Sequence, residues 1–163
     1  MTAVARHAAA RRPAITLQLA ARGRGLPTPA QVRRWAAAAL ARAAEVTVRI
    51  VGAAEARRLN RAYRGRDYAT NVLSFPYDSG RGMLRGDIVL CAPVTRREAR
   101  AQGKTLEAHF AHLIVHGLLH LQGHDHERPR EAARMEALEK KLLAKLGYAD
   151  PYAAPGDPRR THP

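Results

Sequence analysis

Cysteine is almost absent: Cys91 stands alone in a chain of 163 residues. An internal disulfide is thereby excluded, and the thiol count fits a reducing cytoplasm. Cys91 ends a short apolar run, where it reads as a small buried residue rather than a reactive thiol. Long hydrophobic runs are missing too. No stretch of about 18 apolar residues occurs, so no membrane span is expected. Acidic residues number only 14, and none precedes Glu45. Lysine is rarer still: 4 of the 28 basic residues are Lys and the other 24 are Arg. A last absence concerns chemistry. Zinc peptidases carry H-E-x-x-H, whose Glu is the general base. Here His116 is followed by Gly117, which disfavours peptide hydrolysis and suggests room beside the helix for a bulky phosphodiester.

Positive charge is in excess. A net charge of +14 favours a polyanionic partner, because Lys and Arg contacts to phosphate release counterions. Base composition alone also yields Arg- and Ala-rich chains, so the charge needs support from a site. The length suits one domain with its own core, spanning residues 15–150, and no repeat is visible. Residues 1–14, MTAVARHAAARRPA, read as a disordered basic extension; such a start also resembles an organellar transit peptide. Residues 151–163 are Pro-rich and read as a disordered tail.

The most informative stretch is HFAHLIVHGLLHLQGHDH, residues 109–126. Phe110, Leu113, Ile114, Val115, Leu118, Leu119 and Leu121 make a helix with little surface for water, hence a buried one. His109, His112, His116 and His120 recur at spacings of three and four, so they share a face. Buried imidazoles need partners. His116 and His120 lie about 40° apart around the axis and can reach one point. Gly123 supplies a helix stop, and a turn there can swing His126 back over the helix end. His116, His120 and His126 then make a three-nitrogen metal site, the usual protein share of a catalytic zinc centre. A set of His109, His112 and His116 has equally good spacing and remains a rival; the Gly123 turn favours the C-terminal set. Asp125 is a candidate to orient a ligand histidine, or else to form the turn.

Around this helix the pattern predicts four strands. ITLQL (15–19), VTVRIV (46–51), Val72–Phe75 closed by Pro76, and GDIVLC (86–91) alternate or form short apolar runs. Thr28, Pro29 and Gln31 predict a capped helix running to about Ala43, with Trp35 in the core. Further helices are expected over residues 53–64, 93–102 and 131–146, the last with Met135, Leu138, Leu142 and Leu146 as its apolar seam. Thr105 caps the histidine helix, and Glu107 suits its N-terminal dipole. The fold class is therefore α+β: a single domain, a small four-stranded sheet packed with about five helices, and a metal site at the end of a buried histidine helix.

HGLLHLQGHDH resembles the H-G-x-L-H-L-x-G-x-D-H signature of the YbeY family of bacterial endoribonucleases. LNRAYRGRDYATNVLSFP (59–76) is similar to that family's L-N-x-x-Y-R-G-x-D-x-x-T-N-V-L-S-F-P segment. The likeness runs over about residues 45–152. Position 124, His here, is commonly Tyr in the family, which adds a candidate ligand. The resemblance implies a Zn2+-dependent, single-strand-specific endoribonuclease acting in small-subunit ribosomal RNA 3′-end maturation and ribosome quality control. It implies ribosomal RNA and ribosomal particles as partners, with ribosomal proteins or an assembly GTPase beside them, and neither DNA nor a membrane. It also implies that Arg64 is needed for activity, alongside His116.

A physical role for Arg64 follows: a guanidinium beside the metal can hold the scissile phosphate and offset charge built up in displacement. A loop-locking salt bridge to Asp67 is the structural alternative. Arg61, Arg66, Arg96 and Arg97 are candidate RNA contacts. The metal would lower the pKa of a bound water or help activate the RNA 2′-hydroxyl; sequence does not separate these. Two other readings stay open: a metallohydrolase of another bond such as a peptide, and a non-catalytic ribosome-binding protein whose structural metal takes a fourth ligand from His124, Asp125 or Cys91.

Overall fold

A computed structural model describes residues 13–77 and 82–154. Of the basic extension expected over residues 1–14, residues 1–12 lie outside them and Ala14 instead opens the first strand; the chain from 155 onward lies outside as well. Four strands form one sheet: β1 (Ala14–Ala20), β2 (Ala44–Val51), β3 (Val72–Tyr77) and β4 (Leu84–Cys91), in the order β1-β2-β4-β3. β1, β2 and β4 are parallel neighbours, and β3 runs antiparallel to β4. The register lines up Leu17, Val48 and Ile88 on one face, and Thr16, Thr47 and Asp87 on the other. β3 continues through Pro76, which was expected to close it. It is an edge strand, and there a missing N–H breaks no ladder bond.

Five helices pack around the sheet: α1 (Pro29–Ala39), α2 (Ala53–Arg64), α3 (Ala92–Ala101), α4 (Leu106–Leu121) and α5 (Pro129–Lys145). α4 is the histidine helix, and it lies against the apolar face of the sheet. Phe110, Ile114 and Leu118 are fully buried together with Val48, Ile50 and Ile88 of the sheet, Trp35 of α1, and Met135 and Leu143 of α5. Each such side chain contributes roughly 1.5–3 kcal/mol of burial. A smaller cluster covers part of the other face, where Val51, Leu73, Val89 and Cys91 meet Ala56 of α2 and Val94 of α3. Cys91 is buried there, as the sequence suggested.

Two glycines let α4 approach the sheet. A Cβ on Gly117 would stand 3.1 Å from Ile88 Cδ1 and 3.2 Å from Ser74 Oγ. One on Gly86 would meet Leu121 Cδ2 at 2.8 Å and the Phe75 carbonyl at 2.9 Å. Gly117 thus faces the sheet and does not clear space for a substrate, correcting the expectation. Its missing side chain is filled by Ile88 and Ser74.

Polar side chains fix the ends of the elements. Thr28 and Gln31 form the capping box, and Gln31 also donates to Glu107 Oε1 at 2.8 Å. α1 stops at Ala39, four residues before the expected end, because Gln122 captures the chain. Its amide nitrogen donates to the Ala39 carbonyl at 2.8 Å, and its oxygen accepts from Ala41 N at 3.0 Å. α5 begins at Pro129 rather than 131, with proline in the position where it has no N–H to lose. The tail boundary also moves. Pro151 and Ala153 are buried and Tyr152 bonds to α5, so Pro151–Ala154 belong to the packed domain instead of opening a tail. Among the described residues, no helix is long and apolar enough to cross a membrane.

Candidate metal centre

α4 ends where the sequence placed its stop. Gly123 takes a φ of +97°, a conformation that suits glycine. The His124 N–H bonds to the Leu119 carbonyl at 3.1 Å and the Gly123 N–H to the His120 carbonyl at 3.0 Å, the two bonds of a Schellman cap. The reversed chain carries His126 back over the helix end. Ring centroids are 5.6 Å apart for His116–His120, 5.5 Å for His116–His126 and 4.9 Å for His120–His126. One ring nitrogen from each lies within 4.8 Å of the others. The structure therefore brings together the C-terminal set.

The remaining nitrogens of two rings are already committed. His116 Nδ1 lies 2.5 Å from Glu139 Oε1, and His120 Nδ1 lies 2.9 Å from the His124 carbonyl. A carbonyl only accepts, so His120 carries its proton on Nδ1 and leaves an Nε2 lone pair. Burial lowers the His120 pKa despite that backbone bond, which favours the neutral, ligating form.

Glu139 does the same for His116. It is fully buried on α5, where burial pushes its carboxyl up. Hydrogen bonds from His112, His116 and Tyr152 outweigh burial and hold it down, at about 2. An ionised carboxylate can only accept, so His116 Nδ1 carries the proton and Nε2 is left for a metal. Three imidazoles with two tautomers fixed from behind are a donor set that fits a borderline-soft divalent ion.

The rival set is dispersed by its partners. His109 Nε2 sits 3.0 Å from Glu98 Oε1, and His112 Nε2 sits 3.0 Å from Glu139 Oε2. The Tyr152 hydroxyl donates to Glu139, and its ring stands edge-on to His112 with centroids 5.2 Å apart. A cleft of about 470 Å3 runs from His116 past His112 and His109 to Glu98 and Lys104, with Tyr152 in its wall. Asn71 also lines it, donating to Glu98 Oε1 at 3.1 Å while accepting from Val72 N at 2.7 Å.

Several sequence-derived assignments change. Asp125 does not orient a histidine: its Oδ1 accepts from the backbone N–H groups of His126 and Glu127 at 2.6 and 3.2 Å. It shapes the turn, and Glu139 takes the orienting position. Of the three candidates for a fourth ligand, His124 contributes its backbone carbonyl, Asp125 holds the turn, and Cys91 lies in the cluster on the opposite face of the sheet. Among the described residues the cluster contains three imidazoles and no fourth donor.

Asp67 pairs bidentately with Arg57, at 2.8 and 3.0 Å, instead of Arg64. Arg64 ends α2 exposed, and none of the described hydrogen bonds joins it to the histidines. Arg61 and Arg97 are exposed, and Arg66 donates to the Tyr68 hydroxyl at 3.4 Å. Arg96 is tied down: it donates to the carbonyls of Arg22 and Arg24 at 3.0 and 3.2 Å, so its charge clamps a loop. Glu139 and Tyr152 were missed in the sequence, although an acid four residues after Met135 and four before Leu143 was a readable sign.

A small α+β domain whose central helix ends in an open three-imidazole centre defines a candidate mononuclear metalloprotein. The family model for endoribonuclease YbeY matches residues 29–147. The chain belongs to the YbeY family. An endoribonuclease YbeY from Aromatoleum aromaticum is 68% identical over 127 residues, covering 78% of this chain and 82% of that protein. One from Stenotrophomonas maltophilia is 56% identical over 139 residues, covering 79% and 86%. The solution structure of a Thermotoga maritima protein superimposes with a TM-score of 0.55 at 25% identity, covering 80% of this chain and 89% of that one.

Proposed function

We propose that this protein is a zinc-dependent endoribonuclease that cuts single-stranded RNA, acting in small-subunit ribosomal RNA 3′-end maturation and ribosome quality control. The convergence of His116, His120 and His126 within 4.8 Å carries the reading. Membership of a family whose curated relatives are named endoribonucleases supplies the reaction class. Zinc suits three neutral nitrogens with an open position; imidazole also binds copper, iron and nickel, so metal analysis decides among them. When bound, the ion supplies Lewis acidity at the phosphoryl group being cut.

The chain's own groups have separable tasks. Glu139, ionised and buried, keeps the His116 proton on Nδ1 and the ring in place. The His124 carbonyl does this for His120. Arg64 offers a permanently charged planar fork to a phosphate. The net charge of +14 favours a polyanionic partner and makes binding salt-dependent. Ribosomal RNA and ribosomal particles are the partners we propose, with ribosomal proteins or an assembly GTPase as further ones.

The test is incubation of the purified protein with ribosomal RNA and, separately, with casein, each with and without chelator, alongside metal analysis. RNA cleavage that stops with chelator and returns with zinc is the expected result. RNA left whole in every lane, or casein cut instead, overturns the reading.

A further inference from the structure

Three of the exposed aromatic rings lie between residues 63 and 77: Tyr63, Tyr68 and Tyr77 are 69%, 50% and 54% exposed. Tyr63 leaves the last turn of α2 and sets its ring edge-on to Phe75, with centroids 5.1 Å apart. Tyr77 follows Phe75 by two residues, so it shares that face of β3, and its hydroxyl is held by Asp87. These rings are braced and left in water.

Beside them the arginines divide into two sorts. Arg49 is bidentate to Glu55, and Arg57 to Asp67. Glu55 and Asp67 are thereby taken, and the third acid here, Asp87, holds the Tyr77 hydroxyl. Arg58, Arg61 and Arg64 are exposed, and their side chains make no hydrogen bond or ion pair among the described residues. On α2, Arg58 and Arg61 lie on the solvent side, turned away from the stripe of Ala56 and Asn60 that carries Tyr63, so they flank the rings. Exposed rings flanked by guanidiniums suit a ligand with flat apolar faces strung on a polyanionic backbone, which is a single-stranded nucleic acid. A duplex keeps its base faces stacked and offers nothing to these rings.

The position connects this face to the histidines. Among the described residues β3 pairs only with β4, which leaves its other edge free. Val72 and Ser74 point to the α4 side, where Val72 lines the histidine cleft and Ser74 Oγ reaches the Gly117 carbonyl at 3.5 Å. Leu73, Phe75 and Tyr77 point the other way. β3 and the Gly117 side of α4 therefore lie between the rings and the histidine centre.

We infer that Tyr63 and Tyr77 form a stacking face for single-stranded RNA, with Arg58 and Arg61 on the solvent side of α2 attracting its backbone, and that one RNA strand rounds the free edge of β3 to reach the histidine centre. The inference rests on the endoribonuclease reading and adds a footprint remote from the metal. The probe is a fluorescein-labelled oligouridine of about 12 nucleotides, within the span of known single-strand sites, used alone and as a duplex with its complement. Binding to the metal-loaded full chain is read by anisotropy and cleavage by gel, for Tyr63→Leu, Tyr77→Leu, Tyr63→Phe and the Arg58→Gln/Arg61→Gln pair.

Wild type should prefer the single strand. Each Leu variant should weaken binding about fivefold or more, with its melting temperature kept, because the rings are exposed. Tyr63→Phe keeps a π-face and should bind as wild type. The arginine pair should flatten the dependence of log Kd on log salt by about two. Leu variants that bind as wild type, or a wild type that holds the duplex equally well, overturn the stacking face while cleavage still stands. Binding that depends on the rings without any cleavage keeps the face and removes the enzyme. No RNA binding by wild type removes both.

Discussion

The two halves of α4 carry histidines at one spacing and put them to opposite uses. In the first half His109 and His112 are buried and turn Nε2 to carboxylates, Glu98 and Glu139, each at 3.0 Å. In the second half His116 and His120 turn Nδ1 to acceptors and leave Nε2 beside His126. The helix itself presents all four rings as one row. The difference comes from what stands opposite. α3 and α5 supply acids against the first pair; the Gly123 turn supplies a carbonyl and a third imidazole against the second. His116 joins the halves, since its Nδ1 shares Glu139 with His112. Spacing thus states which rings can meet, and the neighbouring elements decide which do.

The largest effect should come from breaking the ligand half. His116→Ala removes one donor and leaves a buried carboxylate oxygen without its partner. Loss of stoichiometric metal after dialysis and loss of RNA cleavage are expected, measured by elemental analysis and by gel. His109→Gln should retain the metal in full. If His109→Gln sheds its metal as completely as His116→Ala, the two halves are not different in kind and the comparison fails.

Next in size is the shared acid. Glu139→Gln keeps the side-chain volume but lets an amide N–H face an imidazole. Where it faces His116, the ring proton moves to Nε2 and the lone pair turns away from the pocket. Metal affinity should fall about 10- to 100-fold, the usual price of losing the group behind a ligand histidine. Competition with a chelator of known affinity measures it. An unchanged affinity would show that Glu139 serves only the His112 half.

These two variants also mark how far the sequence could be read. The trio His116, His120 and His126 was legible because helix periodicity and a glycine stop are local facts. So were the four strands, whose alternation survives in the register of Leu17, Val48 and Ile88. Glu139 and Tyr152 were not, because their meaning depends on how α5 and residues 151–154 dock, 13 or more residues from any ligand. Asp125 drew attention by sitting between two histidines, yet an Asx turn claims a carboxylate there as readily as a ring does. Gly117 was misread for the same reason. Its neighbours in sequence are at the site, while its neighbours in space are Ile88 and Ser74.

Gly117→Ala separates packing from ligation on the same helix. The added methyl meets Ile88 and Ser74 at 3.1–3.2 Å. Overpacking of this kind costs about 1–3 kcal/mol, partly offset by the roughly 0.5–1 kcal/mol that alanine gains over glycine in a helix. A lower melting temperature is expected, with metal content retained. Complete metal loss with an unchanged melting temperature would return Gly117 to the site.

The smallest effect belongs to the outer acid of the first half. The hydrogen bond from His109 pulls the Glu98 carboxyl below its ordinary pKa; burial opposes this, and the Asn71 amide adds to the lowering. A carboxyl depressed in the folded state contributes stability that is complete above its unfolded pKa, near 4.5, and fades as pH falls through the folded value. Wild type should therefore lose part of its stability as acid protonates Glu98, and Glu98→Gln should show a shallower acid limb. At neutral pH Glu98→Gln should melt lower than wild type, because His109 then keeps only a neutral partner, while metal affinity stays the same. Parallel stability curves for the two proteins would mean that the Glu98 carboxyl is not held down in the fold. A shifted metal affinity would mean that the first half of α4 reaches the centre after all.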